Sequence, residues 1–237
     1  MTLKSFMIGM IASFGLAWVF IIAVPVAKLS ALEPVKMNED EDAPYYQHNY
    51  AGRVENGASI YAANGCAQCH SQLIRPEYAG QQLWKKDAAG IYIKDDAIDT
   101  RRETSFYDYE GEKYAHIGRT RMGQDLMNVG YRAETYAAAY SKATGETMSA
   151  EQWLMEHLKN PRNNELQRGN SGQSQEMAWS NCPAQHQMFN DAGHPTYQAK
   201  ALVSYLMSMK HDDAMPASMD YAPKEDLAQP ANTAKKK

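Results

Sequence analysis

The residues best able to do chemistry in this 237-residue chain lie in one short run, NGCAQCHSQLIRP, from Asn64 to Pro76. Cys66 and Cys69 are spaced so that both thiols share one turn. Such a pair can hold zinc, cycle as a redox disulfide, or add to the two vinyl groups of a haem. The next residue is His70, placed to ligate a haem iron from below once the thiols have fixed the ring. Zinc would need a second pair of ligands at comparable spacing, and the chain offers only Cys182 and scattered histidines. A catalytic redox pair would sit in a βαβ unit and has no use for an obligatory histidine. The motif therefore points to one covalently attached haem c, with Cys66 and Cys69 as the attachment points and His70 as an iron ligand.

The group opposite His70 decides what such an iron does. A closed iron with His and Met exchanges electrons, whereas an open position binds gases or peroxide. The informative stretch is SGQSQEMAWSNCPAQHQMFN, Ser171 to Asn190, which offers Met177, Cys182, His186 and Met188. Most of the other methionines, of 14 in all, belong to the N-terminal run, helix faces or the tail, where packing is their ordinary role. His48, His116, His157, His194 and His211 show no partner spacing and read as ordinary surface or core histidines.

The elements that must position these residues look helical. Val54, Ala58 and Tyr61 recur at helical spacing, and Asn64-Gly65 supplies a stop just before the first cysteine. Ser149 followed by Gln152 forms a capping box for a helix carrying Trp153, Leu154 and Leu158, which should end before Pro161. A last helix over about Thr196 to Lys210 puts Tyr197, Ala201, Leu202, Tyr205 and Leu206 on one face. Strand alternation is scarce, with Ile91 to Ile93 as a short hairpin piece. Long irregular connections fill Arg75 to Thr120 and Arg162 to Pro195.

At the front, Phe6 to Ala27 runs without a charged residue, the length of a bilayer-spanning helix and longer than the apolar region of a signal peptide. The expected organisation is a transmembrane anchor over 1–28, a polar linker over 29–50, a helical domain over 51–211 and a disordered or partner-bound tail over 212–237. Charge is nearly balanced, 24 basic against 28 acidic residues with no basic stripe, so nothing calls for nucleic acid as a partner.

Taken together, these segments resemble the membrane-anchored mono-haem cytochrome c subunit, subunit II, of cbb-type cytochrome c oxidases. The match is carried by GCAQCHSQLIRP from Gly65, GRTRMGQDLMNVGYR from Gly118 to Arg132, WLMEHLKNPR from Trp153 to Arg162, ALVSYL from Ala201 and the single anchor. It covers about Phe6 to Lys210. The resemblance implies a mainly α chain, with one N-terminal transmembrane helix and a cytochrome c-like helical domain on the periplasmic side of a bacterial inner membrane. Its partners would be the lipid bilayer, a c-type cytochrome donor and the haem-copper catalytic subunit, and oxygen reduction would belong to that subunit. The rival readings are an anchored cytochrome of another respiratory complex, or a haem enzyme or sensor with an open sixth position.

The resemblance also carries site roles. Arg75, Arg119 and Arg121 could pair with the haem propionates, a guanidinium matching a carboxylate bidentately, and of these Arg75 and Arg121 are favoured by the match. Leu126, Tyr61, Trp153 and Tyr205 would pack on the porphyrin or in the core beside it. Gln124 stands where the family has proline, and its carbonyl is expected to accept a hydrogen bond from the outer nitrogen of His70. The family's ligand methionine lies in a Ser-x-Met-Pro segment, and here SNCP puts Cys182 at that place. Met177 ranks first as sixth ligand, followed by Met188, Cys182 and His186.

Overall fold

The computed structural model describes residues 2–30, 36, 51–109, 112–163, 166 and 181–215. The chain divides into two units, one containing the N-terminal helix and the other spanning His48–Ala214. Most of the linker expected over 29–50 and of the tail expected over 212–237 falls outside the described residues, and so does Met177.

The first helix, α1, runs over Leu3–Leu29 with a mean hydropathy of 2.4 and none of its most apolar stretch buried. Thr2 caps it, its hydroxyl accepting from the Ser5 amide (3.3 Å). The helical path widens into a π turn at Val19–Ala23, which ends one residue short of Pro25. That placement follows from proline's missing N–H, which interrupts the regular i to i−4 ladder. At 1.5 Å per residue the helix is about 40 Å long, more than a bilayer's ~30 Å hydrocarbon core. A helix apolar all round has no polar face to turn to water, and this one is a candidate membrane anchor or signal sequence.

Among the described residues, the second unit is built on four α-helices: α2 (Gly52–Ala63), α3 (Val129–Thr144), α4 (Ala150–Lys159) and α5 (Tyr197–Ser208). Helices α2 and α5 cross closely at Gly57, where a Cβ would lie 2.2 Å from the Ala201 carbonyl oxygen and 2.6 Å from Tyr205 Cβ. On either side of that crossing Tyr61 and Tyr205 are buried, their rings 5.7 Å apart. The apolar face of α5 holds Ala201, Leu202, Tyr205 and Leu206 as expected, but Tyr197 at the first turn is 58 % exposed. Its hydroxyl instead accepts from Asn56 Nδ2 (2.9 Å) on α2.

The capping box of α4 forms in full: the Gln152 amide donates to Ser149 Oγ (3.1 Å) and the Ser149 amide to Gln152 Oε1 (2.9 Å). Helix α4 ends at Lys159, before Pro161, and buries Trp153, Leu154 and Leu158. Helix α3 was not anticipated. Its buried face consists of Val129, Gly130, Arg132, Ala133 and Ala137, so it lacks the large aliphatic stripe that reveals a helix in sequence. Its end is marked by Gly145 at φ 77°.

The connection between α2 and α3 holds short helical turns and a two-stranded hairpin, β1 (Tyr92–Ile93) and β2 (Ile98–Asp99), with Tyr92 opposite Asp99. The C-terminal end of the unit is tied to it by Asp212, whose carboxylate accepts from Thr100 Oγ1 (2.5 Å) and Tyr131 Oη (2.8 Å).

Candidate functional site

Helix α2 delivers the cysteine pair. It stops at Asn64, and Gly65 takes a left-handed conformation (φ 69°, ψ 21°) that turns the chain into a single 3₁₀ turn over Cys66–Gln68. The amides of Cys69 (3.1 Å) and His70 (2.9 Å) both donate to the Cys66 carbonyl, so Cys66, Cys69 and His70 are wound on one turn. Side chains at i and i+3 are neighbours in such a turn. Cys66 and Cys69 carry free, half-buried thiols.

His70 is fixed on three sides by the segment 117–127. Its Nδ1 lies 2.8 Å from the Gln124 carbonyl oxygen. A neutral imidazole donating there presents Nε2 as its bare, ligating nitrogen. Gly123 lies against the ring: a Cβ would come within 2.3 Å of Cε1 and 2.5 Å of Nδ1. Gly118, at φ +90°, passes the backbone so closely that a Cβ would sit 2.4 Å from the His70 carbonyl oxygen. Burial pushes the His70 pKa down, and the Gln124 carbonyl opposes that shift.

The two motif segments are laced along their length. The Arg119 amide donates to Ala67 O (2.8 Å), Gly123 to Cys69 O (2.9 Å), Leu126 to Ser71 O (2.7 Å) and Gln72 to Ile117 O (3.2 Å). At the centre is the buried Asp125. One of its oxygens accepts from Ser71 Oγ (2.6 Å) and the Leu73 amide (2.9 Å), the other from the Met127 amide (2.9 Å). The buried guanidinium of Arg132 donates to the Asp125 carbonyl. In the sequence Gly123, Asp125 and Arg132 stand out only as part of the Gly118–Arg132 segment; a glycine between Met122 and Gln124 was the available hint of a close approach.

Arg75 and Arg121 come together beside this lacing. Arg121 Nη2 donates to Leu73 O (2.7 Å), whereas Arg121 Nη1 and Arg75 Nε are buried without a hydrogen-bond partner. Burial pushes the Arg121 pKa down; Asp125, 4.0 Å away, opposes this and the Arg75 cation adds to it. Two adjacent cations with buried, unpaired N–H groups form a receptor for an anionic group. Leu126 is half-buried, and Tyr61, Trp153 and Tyr205 are core residues.

A loop at 181–190 approaches the cysteine turn from elsewhere in the chain. Gln187 Nε2 donates to Asn64 Oδ1 (3.1 Å), and the Gln185 amide to Leu158 O (2.9 Å) at the end of α4. Cys182 lies within electrostatic reach of the pair: burial, then Cys182, pushes the Cys66 thiol up to about 11, and burial, then Cys69, raises Cys182 while Arg162 opposes. Met188 is fully buried, its amide donating to Gln185 O (2.9 Å). His186 is exposed.

His157, set aside in the sequence as ordinary, belongs to the same surroundings. Its ring stacks on Trp153 (centroids 5.3 Å apart, planes 6° from parallel), and its buried Nδ1 has no hydrogen-bond partner. Burial, then the charge of His70, pushes its pKa down to about 4. Its place one turn after Trp153, four residues on, was the trace visible in sequence.

Two adjacent thiols can form thioether bonds, a disulfide or soft-metal ligation, and a histidine with its outer nitrogen engaged can ligate a metal through the inner one. Among the described residues no three His, Cys, Asp or Glu side chains converge as a metal-binding group. Comparison with protein-family models and with curated proteins finds no match for this chain.

Proposed function

We propose that this chain is the membrane-anchored mono-haem electron-transfer subunit of a cbb-type haem-copper oxidase. In this reading α1 spans a bacterial inner membrane and the second unit lies on its periplasmic side. It takes electrons from a c-type cytochrome and relays them to the oxygen-reducing subunit.

The residues present fit a covalently attached haem c. Cys66 and Cys69 offer unbridged thiols on one turn. Arg75 Nε and Arg121 Nη1 are buried donors lacking a partner, as two propionate groups would require. The observation that carries the reading is the hydrogen bond from His70 Nδ1 to the Gln124 carbonyl (2.8 Å), because it holds the tautomer and ring orientation an axial ligand needs. That carbonyl belongs to the backbone, so the replacement of the family's proline by Gln124 leaves the bond intact.

When bound, haem supplies an iron that accepts and releases one electron. The chain's own residues tether the ring through Cys66 and Cys69, orient it through His70, neutralise its carboxylates through Arg75 and Arg121, and exclude water with the Tyr61–Tyr205 core. The charge balance and the lack of a basic stripe keep nucleic acid out of the account. The test is purification of the tagged full chain from native membranes in mild detergent. Recovery with a haem-copper subunit and reduction of the bound haem by a c-type cytochrome are expected. Recovery with a different respiratory complex, or alone with a carbon monoxide-binding haem, would contradict the assignment.

A further inference from the structure

We propose that the segment from Lys113 to Met122 is the docking surface for the electron donor, and that it receives a protein face with an apolar centre and an acidic rim. This rests on the electron-transfer reading above and adds to it where the donor sits and what chemistry recognises it.

The segment presents large apolar side chains to solvent. Met122 is 67 % exposed, Tyr114 58 % and Ile117 47 %. Single exposed apolar residues are ordinary, but several in one short stretch, edged by charge, mark a place where another molecule sits. Methionine, tyrosine and arginine are also enriched at the centres of protein–protein interfaces.

Its charge selects the partner. The chain as a whole carries a net charge of −4, yet from Lys113 to Gln124 there is no Asp or Glu. Lys113 and Arg119 are exposed, and among the described residues neither is ion-paired with a carboxylate. Lys113 Nζ stands over the Tyr114 ring, 5.7 Å from its centroid, so cation and apolar surface are presented together. The acids at the two ends add little opposing charge. Asp125 is buried and taken up by Ser71, Leu73 and Met127, and burial, then Asp108, pushes the Glu112 carboxyl up to about 7.

Its attachment selects the role. The Arg119 amide donates to Ala67 O (2.8 Å), Thr120 Oγ1 to Gln68 O (2.5 Å) and the Gly123 amide to Cys69 O (2.9 Å), so the segment is laid on the cysteine turn. Nearer its start it is anchored by the buried His116, whose ring lies 5.3 Å from that of Tyr61. A partner seated here is one chain segment from Cys66 and Cys69, and the surface it meets is already fixed, which spares the ordering cost of association. A bilayer covering the same residues would close that route, so electron relay selects a protein.

The experiment uses the full chain, haem attached, in detergent, mixed by stopped flow with a reduced acidic mono-haem cytochrome c or a reduced basic one; the cytochrome loses one electron as the chain's haem gains it. Haem content by pyridine haemochrome is measured first: a chain without haem defeats the electron-transfer reading, and the labelling below still tests the surface. The acidic cytochrome should be the faster donor, with a rate that falls as salt rises. Lys113→Glu combined with Met122→Glu should slow it about tenfold at low salt, while Met122→Leu and the exposed Lys142→Glu on α3 stay near wild type. Hydroxyl-radical labelling of the wild-type chain should show Met122 protected when the acidic cytochrome is added, so a variant that misfolds does not remove the test. A rate unchanged by the Lys113, Met122 double variant, faster reduction by the basic cytochrome, or Met122 protected by anionic-lipid nanodiscs without any cytochrome would each overturn the proposal.

Discussion

Two regions that meet around the cysteine turn are held by different means. On one side, residues 66–73 and 117–127 are joined by backbone hydrogen bonds, two glycines in van der Waals conflict with any Cβ, and a buried carboxylate with three donors. On the other, among the described residues, α4 and the loop at 181–190 meet through a single backbone bond, Gln185 N to Leu158 O, while Gln187 ties the loop to Asn64 at the end of α2 and Trp153 stacks on His157 within α4 itself. A backbone-built side fixes one ligand geometry and tolerates almost no substitution. A region held by so few cross-connections tolerates substitution residue by residue.

The comparison breaks most readily at Gly123. In Gly123→Ala the new methyl would meet the His70 ring at 2.3–2.9 Å, and overpacking of this kind costs about 1–3 kcal/mol. The expected result is loss of the low-spin spectrum with thioether-bound haem retained; a wild-type spectrum would show that the backbone side is not rigid. Next comes Asp125→Ala, which strips partners from Ser71 and the amides of Leu73 and Met127. Its cost should be ~3 kcal/mol or more by denaturant titration, since each buried donor left unpaired costs about 1–3 kcal/mol.

A pH effect follows on the other side. His157 is neutral when folded, its pKa held down to about 4 from 6.5. Between those values the unfolded chain binds a proton that the folded chain does not, so stability falls as pH drops from 6.5 through about 4. The loss is at most ~3 kcal/mol at about 1.36 kcal/mol per unit, and His157→Phe should flatten that part of the profile. Ser149→Ala removes one half of the α4 capping box and should cost about 1 kcal/mol. A larger loss than for Asp125→Ala would reverse the comparison. The smallest effect belongs to Gln124→Ala: the carbonyl that holds His70 remains, and the side chain is exposed with only Tyr136 Oη at 3.5 Å. Spectrum and stability should stay within ~0.5 kcal/mol of wild type.

Much of this was legible in the sequence because it depends on local chemistry. CAQCH, the Asn64-Gly65 stop, the Ser149–Gln152 box and the apolar run each act over a few residues, and each took its expected local form. Helix α3 escaped because its inward face is small or charged, Ala133, Ala137 and Arg132, and periodicity is read from large apolar residues. The work of Gly118, Gly123 and Asp125 escaped because it depends on contacts across about 50 positions in sequence, which no window reveals. His157 looked ordinary for the same reason: what distinguishes it is an absent partner in space. The preference for Met177 concerns a residue outside those described.

The central claim is that Cys66, Cys69 and His70 hold one haem. Denaturing intact-mass measurement on the full chain, produced alongside a haem-attachment system, tests it most directly. The account predicts one haem per chain that survives denaturation and disappears in the Cys66→Ala, Cys69→Ala double variant; a haem-free chain carrying a Cys66–Cys69 disulfide or a zinc ion would contradict it.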